Sequence, residues 1–206
     1  MSGTRLTLAL LALATLAACG DDTPPRPSSE GVAATNTDSE ALMHWSAVAP
    51  PQFYDVPQAE RATRCRLLEE TCVIDDETFY LLGDVHVPIE GRENPLVLST
   101  WVSVTKETFD EVRELWHAPE LVGKKYFAWL YSGFSAFPPK TPIKANIAFT
   151  LPATRPRIVL QPNAHPLSKA SHEGLSAERL DRVLNALAGD QVAARRSTEA
   201  ATEEGR

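Results

Sequence analysis

Cysteine and glycine are scarce in this sequence, and several motifs that carry chemistry are missing. The 206 residues include three Cys and ten Gly. No glycine-rich phosphate loop or dinucleotide fingerprint occurs, and no His-Glu-x-x-His pair predicts a zinc hydrolase. No Gly-x-Ser-x-Gly turn predicts a serine nucleophile. These absences favour a protein without a catalytic centre, a metal or a cofactor.

Positive charge is also in short supply. Lys and Arg number 20 against 27 Asp and Glu, which gives a net charge of −7. Nucleic-acid binding requires a basic stripe, so this balance predicts no nucleic-acid partner. An acidic protein also gains nothing from electrostatic adhesion to an anionic bilayer. Attachment to a membrane would therefore need an interaction other than electrostatic attraction.

The longest apolar run lies at the start of the chain. One basic residue, Arg5, precedes the apolar residues 6–18, and Cys19 follows Leu16-Ala17-Ala18. Thirteen residues rise about 20 Å as a helix, less than the roughly 30 Å core of a bilayer. The order of charge, apolar core and small residues is typical of a secretory signal. The final residues resemble a bacterial lipobox, which implies a lipoprotein precursor cleaved before Cys19 and acylated (palmitate) on its thiol; the alternative is a secreted protein cleaved nearby.

Composition divides the chain into four segments. Residues 1–18 form the predicted lipoprotein signal peptide, and residues 19–42, rich in Pro, Ser and Thr, form a lipid-anchored disordered linker. Residues 43–188 are long enough for one domain with its own core. Residues 189–206 have little apolar content and are predicted to be a disordered or frayed tail.

Hydrophobic patterning predicts an α+β fold for the domain. It is a single domain with a mainly antiparallel sheet flanked by two amphipathic helices. Two runs of residues, Phe79–Ile89 and Leu96–Thr105, are predicted to form a hairpin packed mainly on one side. One helix should begin after Thr105 and the other at Ser176. The remaining predictions are strands at Tyr126–Leu130, Ile143–Thr150 and Arg157–Leu160, and a loop at Gln161–Leu175.

Residues from about Phe53 to Leu187 resemble the bacterial domain of unknown function 2199 family. The resemblance rests on short pieces whose order and spacing match: Arg64-Cys65, Cys72-Val73-Ile74-Asp75, Val87-Pro88-Ile89, Trp101-Val102-Ser103-Val104, Phe109, Glu114-Leu115-Trp116, Tyr126-Phe127-Ala128-Trp129-Leu130, Ile143-Lys144-Ala145-Asn146, Arg155-Pro156-Arg157, His165-Pro166-Leu167 and Gly174-Leu175-Ser176. The family has no assigned activity, so the resemblance implies no catalytic or binding residue. Relatives often carry a Cys-x-x-Cys segment before Phe53, which this chain lacks.

Cys65 and Cys72 allow three interpretations. The six residues between them permit a disulfide if the domain is exported. The pair is equally consistent with two small, buried apolar side chains. A structural zinc site is less favoured, because such sites use four ligands and only two cysteines are present.

Asp84 and His86 are the strongest candidates for chemistry. They lie two residues apart on a predicted strand, so both side chains should face the same side. A third metal ligand would have to come from His117, His165 or His172. Such a site, or a thiol site at Cys65, would make the protein an envelope hydrolase.

Aromatic residues provide the other functional indication. Trp101, Trp116, Trp129, Phe127 and Tyr126 are explained either by core packing or by a solvent-facing aromatic groove. We expect a non-catalytic binding or interaction module, held at the extracytoplasmic side of the cell envelope by lipid on Cys19 and recognising a protein partner or ligand. The envelope hydrolase is the alternative.

Overall fold

The computed structural model describes residues 43–131, 133–138 and 140–204, which belong to one compact unit. The predicted signal peptide and linker, including Cys19, lie outside the described residues. The elements in chain order are β1 (Met43–Ser46), α1 (Pro51–Asp55), α2 (Gln58–Arg64), β2 (Cys65–Leu67), β3 (Thr71–Ile74), β4 (Thr78–Val87), β5 (Leu96–Val104), α3 (Lys106–Glu114), β6 (Lys125–Tyr131), β7 (Pro142–Ala148), β8 (Arg157–Leu160), α4 (Pro166–Glu173) and α5 (Ala177–Glu204).

Strands β4 to β8 close into a five-stranded barrel. Each strand pairs antiparallel with the next, and β8 returns to pair in parallel with β4. Strand β1 lies parallel to β5, and β3 and β2 extend from β4. The α+β class is confirmed. The description of a mainly antiparallel sheet with two helices was too simple, because the sheet closes on itself and the described residues contain five α-helices.

The barrel closes at Gly83. A Cβ atom there would lie 2.8 Å from the carbonyl oxygen of Pro156 and 2.9 Å from Cγ1 of Ile158. The adjacent Asp84 amide donates to that same Pro156 carbonyl at 2.9 Å, and Asp84 pairs with Arg157 across the seam. A side chain at this position would push β4 and β8 apart, so glycine permits the closure.

The β4–β5 hairpin was predicted correctly, but its outer side was not. One face of β5, formed by Leu96, Leu98, Thr100 and Val102, is buried in the barrel interior. The opposite face was expected to be less well packed. Trp101 is nonetheless buried there, in a second apolar cluster with Val56, Cys72, Ile74, Tyr80 and Leu82. The outer face of β4 and β5 is covered by short elements, among them α1 and β3, which the hydrophobic periodicity of the sequence did not predict.

The helices agree with the sequence only in part. Helix α3 begins as predicted, since Thr105 is its N-cap and accepts from the Thr108 amide. Helix α5 also begins after Ser176, but it runs to Glu204, through the segment predicted to be a loose tail. The predicted loop at 161–175 contains α4, which begins after His165. Among the described residues, no helix combines the length and apolarity that a bilayer crossing requires.

Gly83→Ala should destabilise the domain by about 1–3 kcal/mol, because the added methyl group overpacks the seam. Gly189→Ala is the matched control. Position 189 lies in α5 with nothing within 4 Å of an added Cβ, so alanine there should leave stability unchanged or raise it through helix propensity. Urea unfolding of both variants measures the difference. Equal stability of the Gly83→Ala variant and the parent would contradict the role of Gly83 in closure.

Candidate functional site

Asp84 and His86 lie on the same face of β4, as predicted; this is the outer face of the barrel, and both residues are half-buried. Burial is the main cause that lowers the pKa of His86, and the positive charge of Arg157 adds to it. The predicted third ligands lie elsewhere: His165 caps α4, and His172 Nε2 lies 2.9 Å from the Leu160 carbonyl oxygen. In the part of the chain that the structure describes, no three His, Cys, Asp or Glu side chains are placed to hold a metal ion.

Asp84 instead belongs to a polar cluster centred on Ser99. The Ser99 hydroxyl donates to Asp84 Oδ1 at 2.5 Å, and it lies 2.7 Å from Nε2 of His44 and 3.3 Å from Nη1 of Arg155. A hydroxyl has one proton and two lone pairs. Because the Ser99 hydroxyl uses its one proton in the hydrogen bond to Asp84, its oxygen accepts hydrogen bonds from both His44 and Arg155.

This arrangement ties strands together and does not activate a nucleophile. Ser99 is 0 % exposed, and His44 donates to its oxygen where a general base would accept its proton. Both carboxylate oxygens of Glu70 accept from Nε of Arg155 at 2.9 Å, which is the main cause that raises the Arg155 pKa. The cluster thereby connects β1, β4, β5 and the segment before β8. Sequence patterning did not reveal it, because its members are far apart in the chain.

Cys65 and Cys72 are both free thiols. In the β2–β3 pair, Cys65 lies opposite Ile74 and Cys72 opposite Leu67, so the cysteines are diagonal neighbours. Diagonal Cα atoms in a sheet are about 7–8 Å apart, beyond the usual disulfide range. Burial raises the pKa of Cys72 to about 12 and also raises that of Cys65. Thiols of high pKa are poor nucleophiles, which argues against a thiol hydrolase site.

A pair of exposed aromatic side chains lies on the outside of the barrel, on β6. Phe127 is 46 % and Trp129 36 % exposed, and their rings meet edge to face with centroids 5.5 Å apart. Lys144 lies opposite Trp129 on β7, with Nζ 5.7 Å from the indole centroid. Asn146 and the exposed Val159 continue the same surface. We call these five residues the aromatic face.

A groove of about 610 Å³ opens beside Trp129. Strand β7 and the segment after β8 form its walls, with Thr141, Lys144, Gln161 and His165 among the lining residues. Its volume falls within the range of about 300–1,000 Å³ that is usual for small-ligand sites. The groove and the aromatic face share Trp129 and Lys144, so together they form one continuous candidate binding surface.

The charge pattern singles out the same part of the molecule. Residues 121–172 contain no Asp or Glu, although the chain has 27 of them. The basic residues of this stretch are Lys124, Lys125, Lys140, Lys144, Arg155, Arg157 and Lys169. The net charge of the whole chain concealed this local excess. A scan for acid-free stretches would have located the candidate surface from the sequence.

One comparison with known proteins identifies a relationship. A family model described as "Uncharacterized protein conserved in bacteria (DUF2199)" matches residues 35–175. That range contains all eight strands, the Ser99 cluster and the aromatic face, and it ends before α5. No curated protein and no solved structure matches the chain.

The two thiols should react slowly with iodoacetamide at pH 8 in the folded protein, with Cys72 the slower because burial keeps it protonated. Unfolding in urea should bring both to the same fast rate. Mass spectrometry of alkylated peptides measures each site separately. Rapid labelling of Cys72 before unfolding would contradict the assignment, as would peptides joined by a disulfide.

Proposed function

The chain belongs to the DUF2199 family of bacterial proteins, and from this premise we propose that it is a lipid-anchored binding module of the cell envelope that performs no chemistry. The observation that carries the binding role is the exposed Phe127–Trp129 pair with Lys144 above the indole. Tryptophan is among the residues enriched at the positions that contribute most of the binding energy in many interfaces.

The anchor is supported by the residues before the domain. The single charge of Arg5, the apolar residues 6–18 and the small residues before Cys19 are typical of a lipidated precursor. Two or more acyl chains hold a protein firmly at a bilayer, whereas one holds it weakly. The 22 residues 20–41 within this linker have a composition that reaches about 25 Å, which lets the domain meet partners beyond the lipid headgroups.

The binding role is supported by where the aromatic face lies. Its residues stand on strands of a closed barrel, with Ala128 and Leu130 of β6 fully buried on the opposite side. Side chains on a rigid sheet lose little freedom when a partner docks, so the surface is pre-organised. The Ser99 cluster and the protonated thiols offer no nucleophile, which favours binding over catalysis.

Changing Cys19 to Ser should release the protein from membranes, because the thiol that would carry the acyl chains is gone. Metabolic labelling with palmitate, followed by membrane sedimentation, compares the variant with the parent protein. Cys65→Ser is the control, since this residue lies within the domain and should keep both the label and the membrane association. An unlabelled parent protein, or a Cys19→Ser variant that still sediments, would contradict the anchor.

A photoreactive p-benzoylphenylalanine at position 127 should cross-link a partner in intact cells, because Phe127 lies on the proposed contact surface. The same probe at Leu151 is the matched control, since this residue is 60 % exposed but lies outside the aromatic face. The product at position 127 should disappear when Trp129→Ala is added. Gel shift and mass spectrometry of the products provide the measurement.

The opposite outcome would favour the hydrolase alternative. Products that are equal at positions 127 and 151, or absent from both, would contradict a protein partner at this surface. If Asp84→Ala together with His86→Ala then abolished the cellular phenotype while folding was preserved, a reactive site at Asp84, His86 or Cys65 would be the better explanation.

A further inference from the structure

We propose that the groove beside Trp129 binds an acidic saccharide, that is, a sugar chain that carries carboxylate groups. The inference rests on the proposed binding function and names the ligand class of that surface. It follows from four properties of the groove: an aromatic platform, a cation with no carboxylate partner, open hydrogen-bonding groups, and a strand β7 whose open edge is limited to Pro142 and Ile143.

The platform is the indole of Trp129. The Phe127 ring and the indole meet edge to face and the cross-strand neighbour Lys144 flanks the indole, so the orientation of the indole is held. Sugar rings present an apolar C–H face, and an exposed indole offers a large, rigid surface for that face. A platform of this kind contacts the sugar ring directly and does not depend on backbone groups in the ligand.

The charge of the ligand follows from Lys144. None of the ion pairs among the described residues involves this side chain. The residues that line the groove include no Asp or Glu, so no acidic side chain of the lining repels a carboxylate on the ligand. Lys144 Nζ lies 5.7 Å from the centre of the indole, so a sugar bound in the groove beside Trp129 brings its carboxylate within reach of the ammonium group.

The polar lining suits hydroxyl and amide groups of a sugar. The hydroxyl of Thr141 and the side-chain amide of Gln161 line the groove and make no hydrogen bond with the rest of the described chain. Thr141 offers one donor and two acceptor sites, and Gln161 offers both kinds of group. Groups of this type fix orientation in small-ligand sites while aromatic area supplies contact.

The wall after β8 is already ordered. Asn163 Oδ1 accepts from the His165 amide at 2.7 Å, and Nδ1 of His165 accepts from the Leu167 amide at 3.1 Å. The Ser168 hydroxyl donates to the Gln161 carbonyl at 2.9 Å. These bonds fix the segment between β8 and α4, so little ordering is required when a ligand binds.

Strand topology argues against a peptide added as an extra strand. Strand β7 pairs with β6 along its whole length and with β8 from Ala145 to Ala148, and the Gln161 amide extends the second pairing by donating to the Lys144 carbonyl at 2.8 Å. Within β7, this leaves only Pro142 and Ile143 without a partner on the β8 side, and proline has no amide to donate. Strand addition requires an open edge. Recognition here therefore takes place through side chains, as with a saccharide.

Isothermal titration calorimetry of the full mature chain in detergent micelles tests the proposal. The probes are tetragalacturonic acid and its fully methyl-esterified form, which keeps the sugar rings but loses the charge. The acid should bind at least about tenfold more tightly than the ester. Trp129→Ala should abolish binding, and Lys144→Gln should weaken binding of the acid about tenfold while leaving the ester unaffected. Lys169→Gln is the control, since Lys169 belongs to the same acid-free stretch but lies on α4, and it should bind as the parent does.

Equal affinity for the acid and the ester would overturn the proposal, as would unchanged binding by the Trp129→Ala variant. Binding of a pentaglutamate peptide in place of both saccharides would assign the groove to an acidic peptide and overturn it too. If no saccharide binds but position 127 still cross-links a partner in cells, this inference fails and the binding function stands. If both experiments fail, the binding function fails as well.

Discussion

The contact between β4 and β8 at Gly83 is the constraint on which the other features depend. It turns an array of short strands into a barrel, so that β6, β7 and β8 have a filled interior behind them. The aromatic face is rigid for this reason, because an open sheet would leave β8 as an edge. One residue without a side chain therefore determines whether a surface far along the chain is a firm platform.

The two sides of the barrel are used differently. Outside β4 and β5, short helices and added strands cover the sheet, and the side chains of the Ser99 cluster are hydrogen-bonded to one another. Outside β6 to β8, large side chains and a lysine are left in contact with water. A hydrogen-bonded polar cluster stabilises a fold. Unpaired groups on a rigid surface are what a partner can use.

Sequence patterning predicted the elements whose period is long and regular. Strand β4 has ten residues, and β5 and α3 have nine each. The N-cap residue Thr105 predicts where α3 begins. Strands of three or four residues, such as β2 and β3, are too short to show alternation. Closure of the barrel could not be predicted from the sequence, because it depends on a single pairing between Asp84 and Arg157, which are far apart in the chain.

The candidate surface was only half visible in the sequence. On β6, Phe127 and Trp129 alternate with Tyr126, Ala128 and Leu130, so both faces are apolar and the pattern does not say which one meets water. The position of β6 in the barrel determines which of its two faces meets water. The charge signal in residues 121–172 was present in the sequence, but the surplus of acids elsewhere cancelled it in the total.

The small size of the outermost strands has a consequence for crowding. The sheet ends at β1, with four residues, and at β2, with three. Edge strands this short offer neighbouring copies of the protein very few backbone groups for hydrogen bonding. Neighbouring copies of the protein can thus expose the aromatic face at high local concentration without pairing their strands into fibrils.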